Sequence, residues 1–254
     1  MKKIKFLVLI ALAINLSTVK TADAQSRDND GGFGIKGGIG LSTISFGDPK
    51  NIVDGEGGSF EFRNNDNKWK IGGLVGITYE ARIGNVFGID IEALIVNKGV
   101  KRELEYKVLG QDGKLTMTGN LFTLDVPVSA KFYFGDNFNI NAGPYFSYII
   151  GGKAKAKNVL NGNTTSDESN NWYGDDYKDA NGELPLKRFD VGVNIGIEVV
   201  ANAGFGVGAR FQKGFIDLTN DKYKGTFSNE GLVFPGDDKH VTNTGFQIYG
   251  IFRF

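Results

Sequence analysis

The stretch VTNTGFQIYGIFRF, residues 241–254, closes the chain and decides how the rest is read. Alternate positions carry Phe246, Ile248, Phe252 and Phe254. The positions between them carry Asn243, Gln247, Tyr249 and Arg253. Side chains along a strand point to opposite faces in turn, so this is a strand with one apolar and one polar side. In a water-soluble protein such a row of aromatics needs a cover. In a transmembrane β-barrel it meets lipid, and the polar row lines the lumen.

Seven earlier segments repeat the pattern: residues 33–43, 68–82, 86–97, 121–134, 138–150, 188–201 and 205–213. The alternation is cleanest in 188–201, where Phe189, Val191, Val193, Ile195, Ile197 and Val199 oppose Asp190, Asn194 and Glu198. After Asn97 it dissolves into a charged segment near 98–107. Tight turns are expected at Ile83-Gly84-Asn85, Gly135-Asp136-Asn137 and Asn202-Ala203-Gly204. The other connections, near 45–67, 98–120, 152–185 and 214–240, read as long polar loops. Short turns at one end and long loops at the other are the asymmetry of outer-membrane barrels. The expected fold is all-β, an eight-stranded antiparallel up-and-down transmembrane β-barrel with short periplasmic turns and long extracellular loops.

Aromatic placement agrees. Phe33, Tyr79, Phe87, Phe132, Phe134, Phe138, Phe205, Phe252 and Phe254 fall on the apolar parity near the short-turn end, as an interfacial girdle would. Trp69, Tyr148 and Phe189 fall toward the opposite rim. Each segment is near the roughly 9–11 residues that cross a bilayer with tilt. The chain has 37 Gly, 20 Phe, 5 Pro and no Cys, which suits a barrel and excludes a disulfide framework.

The start reads as an export signal. MKKIK is basic, residues 6–16 (FLVLIALAINL) are apolar, and Ala22-Asp23-Ala24 is an A-x-A cleavage site. The expected organisation is a signal peptide at 1–24, a short periplasmic lead at 25–32 and the barrel at 33–254. Gln25 after the cut argues against a lipid-anchored Cys. Removing four lysines and one aspartate leaves 25 basic against 28 acidic groups, a formal charge of −3. No basic cluster points to nucleic acid.

The polar parity carries six cations, Lys36, Lys70, Arg82, Lys131, Arg210 and Arg253. It also carries six anions, Glu80, Asp90, Glu92, Asp125, Asp190 and Glu198. Eight strands leave an interior about wide enough for side chains. Buried charges must be paired, so the expectation is a lumen plugged by ion pairs. A narrow-pore porin is the alternative use of the same residues. Pro127 and Pro144, inside neighbouring strands, are expected to mark a bulge or bend.

Three motifs resemble chemistry. Gly32-Phe33-Gly34-Ile35-Lys36-Gly37 matches G-x-G-x-x-G, but it lies within a strand rather than between a strand and a helix. The acidic loop 170–183 (NNWYGDDYKDANGE) fails the EF-hand spacing, with Tyr177 and Arg188 at ligand positions. His240, the single histidine, follows Asp237 and Asp238 at a rim where an outer-membrane hydrolase of lipid or peptide could place a base, but no nucleophile is marked. No enzyme, catalytic residue, cofactor or metal site is expected.

The segments LDVPVSAKFYF (124–134), NAGPYFSY (141–148), RFDVGVNIGIEV (188–199) and the terminal GFQIYGIFRF resemble the outer-membrane β-barrel proteins of Bacteroidetes-type bacteria, the porin-family, PorT-like group. The resemblance spans nearly all of 33–254. It implies an outer-membrane location and no particular reaction. It also implies that Phe254 is a signal read by the barrel assembly machinery. No peptidoglycan-binding domain is expected after the barrel. Expected partners are outer-membrane lipids, the assembly machinery and other envelope or secretion proteins met by the extracellular loops. A soluble lipocalin-like barrel is the remaining alternative, and it would require the charged parity outside.

Overall fold

The structure is a computed structural model that describes residues 31–45, 52–53, 59–108, 110–169, 186–201, 204–221 and 240–254. The expected signal peptide, most of the lead, the acidic loop 170–183, and Asp237 and Asp238 lie outside the described residues.

The described elements are all strands: β1 (Gly31–Ser45), β2 (Ile52–Val53), β3 (Ser59–Lys68), β4 (Lys70–Ile83), β5 (Phe87–Val108) and β6 (Gln111–Phe134). Then come β7 (Phe138–Leu160), β8 (Asn163–Ser169), β9 (Phe189–Val200), β10 (Phe205–Gly214) and β11 (Thr242–Arg253). Eight of them pair antiparallel in the ring β1-β4-β5-β6-β7-β9-β10-β11. The ring shuts where β11 meets β1, with Ile39 opposite Ile248 and Gly34 opposite Arg253. Closure satisfies the backbone groups that an open edge would leave bare in lipid. Gly84 and Gly135 take positive φ in two of the short turns (68° and 71°), as tight hairpins require.

Exposure settles which parity faces out. Ile39 and Ile71 are 61% and 69% exposed, while Lys36 and Asp125 are 0% exposed. Apolar surface costs about 25 cal/mol per Å² in water, so this exterior belongs in hydrocarbon, and the lipocalin-like alternative falls. The girdle closes up ring to ring at the short-turn end. Phe33 lies 4.8 Å from Tyr79, Phe87 5.5 Å from Phe132, and Phe205 4.5 Å from Phe252. At the other rim Phe189 stacks on Phe146 at 6.5 Å.

Several expectations are corrected. Residues 98–120 are not a loop. β5 and β6 run on as one hairpin, in register from Lys98–Leu121 to Val108–Gln111. Here the faces exchange polarity: Val100, Arg102 and Leu104 are buried, while Lys101, Glu103 and Glu105 turn outward. Beyond the bilayer the outside meets water, so the alternation persists with the opposite chemistry. The stretches 45–67 and 152–185 likewise contain strands. β3 adds to β5, and β8 folds back on β7 through Asn161-Gly162, with φ of 47° and 81°. The prolines make no bulge. Pairing lapses between Pro127–Tyr145 and Ala130–Ala142, but the register is unchanged across the gap. A proline removes one donor without adding a residue. Asn194 Nδ2 donates to the Gly143 and Pro144 carbonyls beside the gap (2.9 and 3.2 Å). The register shift falls instead at Phe122/Thr123, opposite Ile149–Gly151.

The upper lumen holds an apolar cluster. Ile44, Val100, Leu104, Met117, Leu121 and Ile149 pack with Leu186, Leu218 and Val241 from the rim segments. Those segments are tied together by Lys187 N to Leu218 O (2.7 Å) and Leu218 N to Val241 O (2.9 Å). Polarity therefore inverts twice, between inside and outside and between membrane and exterior.

Candidate functional site

β4 and β5 set Glu80 directly across from Asp90. Like charges at opposed positions destabilise a sheet, so a cation must lie between them. Lys131, reaching in from β6, places Nζ 2.8 Å from Glu80 Oε2, 2.8 Å from Asp90 Oδ2 and 2.6 Å from Glu198 Oε2. Lys36, from β1, bonds Glu92 Oε1 at 2.8 Å and Glu198 Oε1 at 2.7 Å, and lies 3.3 Å from Asp90 Oδ2. Arg210 Nη2 lies 2.8 Å from both oxygens of Glu92. Arg253 Nη2 reaches Glu80 Oε2 at 2.6 Å and Glu198 Oε2 at 3.1 Å.

These four carboxylates and four cations come from seven of the eight ring strands. They balance in charge, and their bonds link strands across the interior. Hydroxyls take remaining acceptor sites: Tyr249 OH donates to Glu198 Oε1 (2.9 Å) and Thr78 Oγ1 to Asp90. The Tyr249 ring lies 4.7 Å from Lys36 Nζ and 5.1 Å from the Arg210 guanidinium, so both cations also meet a π face. Gly208 makes room for that ring; a Cβ there would sit 2.6 Å from it.

The remaining residues of the expected lumen set lie elsewhere. Arg82 stacks on the Tyr133 ring at 3.8 Å, with its Nε 3.8 Å from Glu80, at the edge of the cluster. Asp125 heads a second group higher in the barrel, receiving Thr123 Oγ1 (2.7 Å) and Ser147 Oγ (2.6 Å). Its cation is Lys98, 2.7 Å away and 5.1 Å from the Tyr145 ring. Asp190 accepts from Tyr145 OH at 3.0 Å. Lys70 stands apart from both groups, with its Nζ 3.3 Å from the Ile71 carbonyl. Sequence reading missed two lumen cations, Lys98 and Arg102, both buried. The signal was present: they continue the even parity of Asp90, Glu92, Leu94 and Val96. Phe254 is exposed, its N–H donates to Phe33 O (3.0 Å), and its ring lies 5.6 Å from Phe252.

Oxygens of Glu80, Asp90 and Glu198 lie within 4.8 Å of one another, a spacing that suits a metal. Lys131 Nζ contacts all three, so an ammonium supplies the charge a cation would bring. The glycine motif 32–37 lies inside β1, and the next described elements are strands. His240 Nδ1 is 3.5 Å from Asp217 Oδ2. The other Asp217 oxygen accepts from the N–H groups of Thr219 and Val241, both at 3.0 Å, so this pair staples the rim segments.

Residues 23–220 match the family model described as "Outer membrane protein beta-barrel domain", and the chain belongs to that family. Its location is accordingly the outer membrane of a Gram-negative bacterium. Among solved structures the chain is similar to the attachment invasion locus protein Ail of Yersinia pestis, at 12% identity and a TM-score of 0.37, covering 89% of this chain and 99% of that one. It is also similar to Neisserial surface protein A, at 13% identity and a TM-score of 0.36, covering 89% and 100%. A third is OprG from Pseudomonas aeruginosa, at 15% identity and a TM-score of 0.36, covering 89% and 96%. No curated protein shows a significant match to the chain.

Proposed function

We propose that this protein is a sealed outer-membrane barrel that works as a scaffold: it carries a rigid extracellular β-extension to envelope or secretion partners and neither conducts solutes nor catalyses a reaction. The observation that carries the reading is the lumen network. Lys36, Lys131, Glu80, Asp90, Glu92, Glu198 and Arg210 are all buried, and each is bonded to a residue on another strand. Ions passing through would have to break several charge-assisted bonds in a low-dielectric interior. The apolar cluster above, from Ile44 to Val241, is a second barrier.

The outer parts of β5, β6 and β7 with β3 and β8 support the other half of the proposal. Regular strand structure continues well past the lipid-facing belt, which suits presentation of a fixed surface. The likeness of segments 124–134, 141–148 and 188–199 to PorT-like barrels of Bacteroidetes-type bacteria supports an accessory role in secretion or envelope organisation. Partners on this reading are outer-membrane lipids, the assembly machinery through the terminal Phe254, and envelope proteins at the extracellular rim.

Planar-bilayer recording of the purified, folded chain tests the sealed lumen. The expected trace is flat at 1 M KCl. Stable, stepwise channel openings from the wild type would instead establish the narrow-pore alternative.

A further inference from the structure

Asp125 stands in a setting unlike that of the lower cluster. Its Oδ1 receives two hydroxyl donors, Thr123 Oγ1 at 2.7 Å and Ser147 Oγ at 2.6 Å. Its Oδ2 lies 2.7 Å from Lys98 Nζ, yet the two atoms are off hydrogen-bond geometry and neither has another hydrogen-bond partner. Lys98 has a single carboxylate within ion-pair distance among the described residues, whereas Lys36 and Lys131 each hold three. Both side chains of the Lys98–Asp125 pair are buried. A second carboxylate sits at the same height. Asp125 is in register with Ser147 across β6 and β7, and Ser147 with Asp190 across β7 and β9. Two strand spacings of about 4.8 Å each separate the Asp125 and Asp190 backbones, and both side chains are turned into the lumen. The Tyr145 ring faces Lys98 Nζ at 5.1 Å, and its hydroxyl donates to Asp190 Oδ2 at 3.0 Å. Asp190 Oδ1 is buried without a hydrogen-bond partner.

These are the parts that amide formation between a lysine and an aspartate requires. An amine nucleophile meets a carboxyl electrophile, two donors point at the oxygen where an oxyanion develops, and a second carboxyl stands by as acid and base. A C–O bond of about 1.2 Å keeps Nζ within about 4 Å of Asp125 Cγ, close to the roughly 3–3.5 Å of a near-attack geometry. We propose that Lys98 and Asp125 join in an intramolecular isopeptide bond that locks β5 to β6 just below the extracellular extension.

Proton transfer within the ion pair leaves a free amine on Lys98 and a carboxylic acid on Asp125. The Nζ lone pair forms a bond to Cγ, and the carbonyl π electrons move to Oδ1, where Thr123 and Ser147 donate. Asp190 takes one proton from the nitrogen and passes it to the Oδ2 hydroxyl. The Cγ–Oδ2 bond breaks with its electron pair, water leaves, and the carbonyl reforms at Oδ1. One ammonium and one carboxylate become one amide and one water. Asp190 ends as it began, and no oxidant or co-reactant is consumed. The product removes two buried charges, and exclusion of water protects it from hydrolysis.

The test compares the full chain recovered unfolded from inclusion bodies with the same chain folded in detergent, by intact-mass spectrometry and tryptic mapping. The heat-modifiable gel shift first confirms folding. The unfolded chain is expected at the mass of its sequence, and the folded chain at that mass less one water. Trypsin is expected to leave Lys98 uncut, so that peptide 83–101 emerges joined to peptide 115–131. Lys98→Arg keeps the cation and is expected to fold at the full sequence mass. Asp190→Asn is expected to fold and to form the cross-link on the order of a hundredfold more slowly. If a variant does not fold, the wild-type mass and peptide map decide. A folded wild type at the full sequence mass, with Lys98 cut by trypsin, would overturn the assignment. So would a water loss mapped to another pair of residues, or a folded Asp190→Asn chain that cross-links as fast as the wild type.

Discussion

Lys131 Nζ lies 2.6 Å from Glu198 Oε2, although the two residues are 67 positions apart in the chain. β6 supplies one and β9 the other, and the bond passes over β7 on the lumen side. Lys131 also holds Glu80 and Asp90, so one ammonium bridges three carboxylates.

Lys131→Met leaves those carboxylates without their shared cation. Removing one partner of a buried ion pair costs about 3–5 kcal/mol. The urea midpoint of the folded barrel in detergent is expected to fall accordingly. Adding Glu198→Gln to Lys131→Met is expected to recover part of the loss, because the pair couples directly. Strictly additive losses would show that the two residues do not act as a unit.

Gly38 and Gly37 adjoin on β1 and should respond in opposite ways. A Cβ on Gly38 would lie 2.2 Å from the Ile248 carbonyl oxygen and 2.6 Å from Tyr249 Cα. Those are backbone atoms of β11, so relief requires the closing seam to open. A Cβ on Gly37 meets nothing nearer than 4.0 Å. Gly38→Ala is expected to reduce the heat-modifiable folded fraction, and Gly37→Ala to leave it unchanged.

Glu103, in the extracellular extension, is held down to about 2 by hydrogen bonds from Lys68, Lys114 and Lys101. An unfolded glutamate titrates at about 4.3. The folded value is depressed, so the contribution is complete above the unfolded value and disappears as pH falls through the folded one. A carboxyl carbon-13 titration of Glu103 is expected to give a midpoint near 2. A midpoint at the ordinary glutamate value would mean that the three lysines are not bound to it in solution. In Lys114→Gln the midpoint is expected to rise.

Much of the barrel was legible because lipid applies one rule along every strand. Residues such as Ile195 and Glu198 declare their faces by parity alone, and the C-terminal strand declared them most clearly. The rule fails where the bilayer ends. Lys101, Glu103 and Glu105 break the apolar-outside template, so residues 98–107 read as a loop although the two-residue period continues. Asn161-Gly162 was an available hairpin signal for the β7–β8 return. The lumen charges were legible as a set but not as a network. Parity says that Lys36, Glu92 and Glu198 point inward. Only register fixes their height, and it separates Asp125 and Asp190 from the main cluster and leaves Lys70 outside both. The shift opposite Ile150 was not legible, since Ile149 and Ile150 are the same residue type facing opposite ways.

An apolar outside in hydrocarbon around a dry, ion-paired inside makes two separate demands on the protein in a bilayer. Solid-state NMR of the isotopically labelled protein in bilayers addresses both halves, by transferring magnetisation from lipid acyl protons and, separately, from water. Acyl-chain transfer is expected at the methyl groups of Ile77, Ile195 and Ile248, with no rapid water transfer to the ammonium groups of Lys36 and Lys131. Rapid water transfer to Lys131, or water rather than lipid contact at those isoleucines, would contradict it.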